Sequence, residues 1–351
     1  MNSIGILSTG SYLPDRVVPN SEIAALAGVT SDWIERKTGI RERRRAAPTQ
    51  ATSNLAAIAA ERALAAAGLS PRQIDYILVA TSTPDHPQPA TANIVQYLIG
   101  ATTAAAVDVN AVCSGFVYAL AMAHGLLHAR AKGGYALVIG ADIYSRILDY
   151  TDRKTAFLFG DGAGAVVLGP VPQGSGIVDT QLCGHGDEHH LIKVPAGGSR
   201  SPASEQTLRD GEHYFQMDGR GVRDFVNKRV PGAVADLLRH HSISASSIDH
   251  FVPHQANGTM LKDLWPSLGL SRAALHLTVE RYANTGSASI PLTLDAAHNS
   301  GVIAKGDTVL LAGFGGGMNL GISLWRWADT LPQTDGSTAM ANRSSAGSVI
   351  A

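Results

Sequence analysis

The chain carries one local pattern twice. Gly68-Leu69-Ser70-Pro71-Arg72-Gln73-Ile74-Asp75 stands before the apolar run 76–81, and Ser242-Ile243-Ser244-Ala245-Ser246-Ser247-Ile248-Asp249 stands before the run 250–253. Ile74 and Ile248 are 174 positions apart, and a second pair, Lys132-Gly133 and Lys305-Gly306, each before an apolar run, repeats at 173. Two separate pairs at nearly one offset point to a duplicated unit. Between them, the path from Leu98-Ile99-Gly100 to Cys113 parallels that from Leu268-Gly269 to Asn284, which sets Asn284 at the counterpart of the cysteine turn. A duplicated βα unit buries the same faces twice. The expected fold is therefore α/β, with two halves related by a pseudo-twofold axis and strand-end loops meeting at one central site. The halves are read as 1–171 and 172–331, with 332–351, rich in Ser, Thr, Gly and Asn, as a disordered tail.

Within the first half, residues 4–8 read as a strand followed by turn residues Gly10 and Pro14. Residues 21–26 and 31–37 read as short helices, each with Ser or Thr at its N-cap. A helix over 53–67 closes at Gly68, and 74–81 is a strand apolar enough to be buried on both faces. A helix over 91–98, strands over 104–109 and 135–140, and a turn at Gly160-Asp161-Gly162-Ala163-Gly164 complete the half. At 351 residues the chain exceeds a single hydrophobic core, in keeping with two halves. A net charge of -1 gives no electrostatic reason to expect nucleic acid or an anionic membrane as partner. With only Cys113 and Cys183 there is no disulfide framework, so a reducing, cytoplasmic location is expected. No apolar run is long enough to span a bilayer, and Met1-Asn2-Ser3-Ile4-Gly5 lacks the charged start of a signal peptide.

The stretch Val109-Asn110-Ala111-Val112-Cys113-Ser114-Gly115-Phe116 puts a cysteine between an apolar strand and a breaker-poor helix over 116–129. Free N–H groups and the positive end of the helix dipole favour a thiolate there, and the thiolate is the nucleophile. A lone cysteine is more often a small buried hydrophobe. Two further turns shift that balance: Pro253-His254-Gln255-Ala256-Asn257 and Arg281-Tyr282-Ala283-Asn284-Thr285-Gly286-Ser287 place an imidazole and an amide at other strand ends. Taken singly, His254 suits a structural histidine and Asn284 an N-cap. Together with Cys113 they form a set able to carry covalent acyl transfer and to donate two hydrogen bonds to a thioester carbonyl.

These three turns, with Gly313-Phe314-Gly315-Gly316-Gly317, Asp32-Trp33-Ile34, Thr38-Gly39-Ile40-Arg41-Glu42-Arg43 and Phe159-Gly160-Asp161-Gly162-Ala163-Gly164, resemble β-ketoacyl-acyl carrier protein synthase III, over about residues 4–327. The resemblance implies a thiolase fold, five layers in the order αβαβα, and a homodimer. It implies an acyltransferase that needs no cofactor and no metal. Cys113 takes an acyl group from acyl-CoA, its own N–H and that of Gly316 binding the oxyanion. His254 and Asn284 then hold a malonyl thioester while carbon dioxide leaves past an apolar wall at Phe314. The same resemblance assigns CoA to Trp33, Lys37, Arg153 and Asn257, and the acyl pocket to Tyr144 and Phe159.

One surface departs from the family. The helix that receives the acidic carrier protein reads Thr259-Met260-Leu261-Lys262-Asp263-Leu264-Trp265-Pro266-Ser267, with Thr259, Pro266 and Ser267 where basic residues are usual, and Asp224 stands where lysine is frequent. Arg220, Arg223, Lys228, Arg229 and Lys262 remain for a weaker patch. The acceptor is accordingly left open among malonyl-carrier protein, malonyl-CoA and a small molecule. An acyl transfer to oxygen, nitrogen or sulfur without decarboxylation is the alternative reaction.

Overall fold

The computed structural model describes residues 3–130 and 133–328; the expected tail at 332–351 and Lys132 of the second repeat pair lie outside them. Two five-stranded sheets carry the fold. The first has the order β1 (Ser3–Tyr12), β7 (Asp161–Val171), β6 (Ala136–Ile143), β4 (Tyr76–Ala80), β5 (Ala105–Val109). The second has the order β8 (Gly176–Gly184), β14 (Asn319–Arg326), β13 (Thr308–Gly315), β11 (His250–Pro253), β12 (Ala274–Leu275). Strand directions agree pair by pair: the first two contacts of each sheet are antiparallel and the last two parallel. Two antiparallel ribbons also correspond, β2 (Arg16–Pro19) with β3 (Glu42–Arg45), and β9 (Ile192–Lys193) with β10 (Gln216–Met217). Adding seven to any strand of the first set gives its counterpart in the second. The chain passes from β7 to β8 through residues 172–175.

Helices form the other three layers. On the outer face of the first sheet, α3 (Thr52–Ala67) and α4 (Thr91–Ile99) bury Leu55, Ala59 and Val95 against Ile77, Val79 and Ile139. On the outer face of the second, α7 (Gly219–His240) and α8 (Gly258–Leu264) bury Val230, Val234 and Leu261 against Leu310 and Ile322. Between the sheets, α5 (Gly115–His128) and α10 (Ser289–Asn299) set Phe116, Leu120, Ile290 and Leu294 in one core with Leu78, Val138, Val252 and Leu311. This is the five-layered αβαβα thiolase fold. Strand β4 shows why its sequence is apolar without alternation: Ile77 and Val79 face the outer helices, Leu78 and Ala80 the central one. The short helices α1 (Asn20–Ala27), α2 (Ser31–Thr38), α6 (Glu205–Arg209) and α9 (Val279–Tyr282) line the loops at the strand ends.

Three local expectations differ from the structure. The glycine-rich 160–164 is no turn, because Asp161 opens β7; a Cβ on Gly164 would lie 2.7 Å from Leu292 N, so the missing side chain lets α10 lie against the strand. Gly10 likewise lies within β1 and under α3. Thr30 caps α2 by accepting the Trp33 N–H at 3.1 Å, but α1 begins after Pro19 with no side-chain cap.

A close backbone approach joins β13 to the cysteine turn: a Cβ on Gly315 would lie 2.7 Å from Cys113 N and 2.9 Å from Cys113 Cβ. Gly315→Ala is therefore expected to destabilise the protein by about 1–3 kcal/mol in chemical unfolding, the usual cost of overpacking. Gly232→Ala, on the exposed side of α7 with no atom within 4 Å of its Cβ, is expected to stabilise by up to about 1 kcal/mol. Equal effects at the two positions would contradict the packing described.

Candidate active site

The cysteine turn starts where β5 ends. Asn110 Oδ1 accepts the Val112 N–H at 3.2 Å, residues Val112–Ser114 form one 3-10 turn, and α5 begins at Gly115. Val112 has φ +48°, a left-handed conformation that costs a β-branched residue on the order of 1–3 kcal/mol. The surroundings hold it there: Ser114 Oγ donates to Ala111 O at 2.7 Å, and Gly313 and Gly315 of β13 close over the turn. Cys113 thus stands buried at the head of the central helix.

The second half makes the same turn. Asn284 Oδ1 accepts the Gly286 N–H at 2.9 Å, Gly286 has φ +59°, Gly286–Ala288 form a 3-10 turn, and α10 begins at Ser289. The 174-residue offset pairs Asn110 with Asn284, Val112 with Gly286, and Cys113 with Ser287. Asn284 therefore belongs to the counterpart of the cysteine turn, as the sequence implied. The residue equivalent to the nucleophile is Ser287, however, and it is structural. Its Oγ lies 2.7 Å from both Ala80 O and Asp142 Oδ2, and its N–H donates to Asp142 Oδ2 at 2.8 Å. The other Asp142 oxygen accepts the Ser82 N–H at 2.8 Å and the Thr83 N–H at 3.1 Å. A short parallel bridge between Phe159 and Asn284 completes the junction, with Asn284 N–H donating to Leu158 O and Gly160 N–H to Asn284 O, each at 2.9 Å.

His254 continues the β11 ladder by donating its N–H to Ala312 O of β13 at 2.8 Å. Its Nδ1 lies 2.7 Å from Ser289 Oγ, and its ring packs edge-on to Phe314, centroids 5.3 Å apart. Burial pushes the imidazole down to about 3, so it is neutral at ordinary pH. Burial pushes the Cys113 thiol up, and the charge of Asp142 adds to this; hydrogen bonding from Tyr144 and from its own N–H pulls the other way without prevailing. This reverses the thiolate expected from the helix terminus. Desolvation outweighs the dipole, and the resting pair is a neutral thiol beside a neutral imidazole.

One cavity of about 660 Å³ brings together Cys113, His254, Asn284, Phe314 and Phe159, with Lys37 and Asn257 nearer its mouth. Asn257 also caps α8, its Oδ1 accepting the Met260 N–H at 3.0 Å. Gly316, Trp33, Arg153 and Tyr144 do not line it. Gly316 is buried beside Val112, Trp33 packs edge-on to the lining residue Phe157 at 5.2 Å, and Arg153 is exposed next to Lys154, which does line the cavity. Tyr144 is stacked behind Phe159 with centroids 4.3 Å apart, its hydroxyl 2.8 Å from Ser82 Oγ. The sequence reading missed Phe215, which lines the cavity and sets its edge against both Phe159 and Tyr144, and Gly315, which touches the nucleophile. Gly315 had a signal in its glycine run; Phe215 had none. Among the described residues no helix is long and apolar enough to cross a membrane.

Family models match the chain in two places, the 3-oxoacyl-[acyl-carrier-protein] synthase III domain at residues 107–186 and its C-terminal domain at 238–327. Acetoacetyl CoA synthase NphT7 of Streptomyces sp. strain CL190 is 56% identical over 324 residues, 92% of this chain and 98% of that protein. Beta-ketoacyl-[acyl-carrier-protein] synthase III of Caldanaerobacter subterraneus subsp. tengcongensis is 41% identical over 92% of this chain and 98% of that one. The crystal structure of FabH from Pseudomonas aeruginosa PAO1 superposes with a TM-score of 0.85 at 35% identity, covering 94% of this chain and all of the other. The chain belongs to the β-ketoacyl-acyl carrier protein synthase III family. It is an acyltransferase of the condensing type, joining an acyl group from acyl-CoA to a malonyl thioester with decarboxylation.

For a synthase III with a neutral buried thiol, alkylation of Cys113 by iodoacetamide is expected to keep rising with pH beyond the ordinary thiol range of about 8.5, and to be blocked by acyl-CoA. A plateau already reached below about pH 7 would show a resting thiolate and contradict the burial effect.

Proposed function

We propose that this synthase III condenses acetyl-CoA with malonyl-CoA to give acetoacetyl-CoA. The similarity to a protein named acetoacetyl CoA synthase, 56% identical over 92% of this chain, carries the reading. In the first step the Cys113 thiol adds to the acetyl thioester, the acetyl–cysteine bond forms, and the thiol proton leaves with CoA as free CoASH. The Cys113 N–H binds the developing oxyanion, with the N–H of Gly316, the residue after the lining Gly315, assigned as second donor on the family resemblance. In the second step malonyl-CoA loses carbon dioxide, its enolate attacks the acetyl carbon, and Cys113 is released to take up a proton.

His254 and Asn284 hold the enolate oxygen. Asn284 Oδ1 is committed to the Gly286 N–H, which leaves Nδ2 as donor on the cavity side. Phe314 presents an apolar surface that disfavours the departing carboxylate relative to neutral carbon dioxide. The aromatic group Tyr144, Phe159 and Phe215 closes the inner end and suits a short acyl chain. Lys37 and Arg153 supply charge for CoA phosphates and Trp33 an aromatic face for the base. Asn257, whose Oδ1 caps α8, has no Nδ2 partner among the described residues and offers that donor to the pantetheine arm. The acceptor is read as malonyl-CoA on the same similarity, while Thr259 and Asp263 at the cavity and Asp224 on α7 depart from the family's basic docking surface. Arg36, Lys37, Lys154, Arg220 and Arg223 line the cavity against Asp263, a positive charge that suits the phosphates of CoA. Two copies pair through the open edge at β5, where Val107 is 43% exposed, in a reducing cytoplasm that keeps both cysteines as thiols. Transfer without decarboxylation is not favoured, since the family relatives are condensing enzymes.

Labelled malonyl-CoA incubated with acetyl-CoA is expected to release carbon dioxide only when both are present, and about tenfold faster than malonyl-carrier protein, a difference of about 1.4 kcal/mol. Release from malonyl-carrier protein alone would overturn the acceptor assignment. No release from either donor would overturn the reaction.

A further inference from the structure

We propose that Ser289 is a positioning residue that fixes His254 in the tautomer carrying its proton on Nε2, so that the imidazole meets the malonyl thioester as a hydrogen-bond donor. The proposal rests on the decarboxylative reading of the same site and adds the residue that sets its polarity.

Ser289 is the first residue of α10 and is 1% exposed. Its Oγ makes two hydrogen bonds among the described residues: it accepts the Gln255 N–H at 3.3 Å, and it lies 2.7 Å from His254 Nδ1. A hydroxyl has one proton to give. The Gln255 N–H takes one of the two lone pairs, and a bond accepted from Nδ1–H at the other would leave the buried hydroxyl hydrogen with no acceptor among the described residues, so that proton points to Nδ1. A neutral imidazole that accepts at Nδ1 carries its hydrogen on Nε2. Ser289 does not line the cavity and His254 does, so the nitrogen turned away from Ser289 is the one facing Cys113 and Asn284.

Gln255 makes this arrangement rigid. Its side chain is fully buried, with Nε2 donating to Pro253 O at 2.8 Å and His276 O at 3.1 Å, and Oε1 accepting the N–H groups of Thr278 at 2.9 Å and Val279 at 3.2 Å. Four bonds pin residue 255, and with it the N–H that orients Ser289. Burial keeps the ring neutral, so no second proton restores a donor if the tautomer is wrong.

Long-range 1H–15N NMR on the histidine-labelled full chain reads the tautomer directly. The wild type is expected to show His254 protonated at Nε2 and bare at Nδ1, and Ser289→Ala to show a mixture or the reverse. In the same variant, acylation of Cys113 is expected to change by less than about threefold while carbon dioxide release falls on the order of 100-fold, the cost of losing one oxyanion donor or holding the wrong tautomer. Ser289→Thr, which keeps the hydroxyl, is expected to restore most of the release. A wild-type His254 protonated at Nδ1, or a Ser289→Ala enzyme that loses both steps equally, would overturn the proposal. If the variant does not fold, the wild-type spectrum alone decides. Wild-type protein that releases no carbon dioxide would defeat the functional reading instead, which separates the two failures.

Discussion

A buried carboxylate joins the two halves beside the cavity. Asp142, at the end of β6, takes N–H and hydroxyl hydrogens from Ser82 and Thr83 of its own half and from Ser287 of the other. Burial pushes this carboxyl up, and those hydrogen bonds oppose it. Each bond to a charged group is worth about 1.5–3 kcal/mol, against a desolvation cost of several kcal/mol for the ion. The balance holds only while every partner is in place. The junction therefore fixes the Ser287 turn relative to the loop after β4, and Asn284, three residues before Ser287, with it.

Duplication explains why such a junction yields an asymmetric site. In both halves an asparagine Oδ1 accepts an N–H two residues on and the chain then passes through a left-handed residue into a central helix. Asn110 follows strand β5, whereas Asn284, expected at a strand end, follows the short helix α9. In the first half the helix-head position holds the thiol of Cys113 and the asparagine is exposed. In the second half the helix-head position holds Ser287, committed to Asp142, and the asparagine faces the cavity. The same turn geometry thus presents the proposed nucleophile on one side and the proposed hydrogen-bond donor on the other. Both reacting groups rest uncharged and buried, so fixed donors meet charge only as it forms on the substrate, where a low dielectric makes them most effective.

Much of this was legible in the chain. The 174-residue offset is a property of order along the sequence, and it carried through to strand order, strand direction and the paired turns. The grouping of Cys113, His254 and Asn284 around one cavity was legible because each sits in a turn with its own signature. What failed was set by neighbours far away in sequence. The glycines at 160–164 look like a turn until α10 is seen lying against them. The thiolate expected at a helix head gives way to burial that no local pattern reports. Ser289 and Gln255 act through partners 34 and 35 residues apart or through strand-end loops, and Phe215 reaches the cavity from a segment without apolar periodicity.

Division of labour between the halves is tested most directly by intact-protein mass spectrometry of the acyl-enzyme in a chase. After exposure to acetyl-CoA, wild type, Asn284→Ala and His254→Ala are each expected to gain one acetyl group on the Cys113 peptide. On addition of malonyl-CoA, the wild type loses it within turnover time and the two variants retain it. Failure of the variants to take up the acetyl group, or discharge of their acetyl group at the wild-type rate, would contradict a site in which one half supplies the nucleophile and the other the enolate-binding groups.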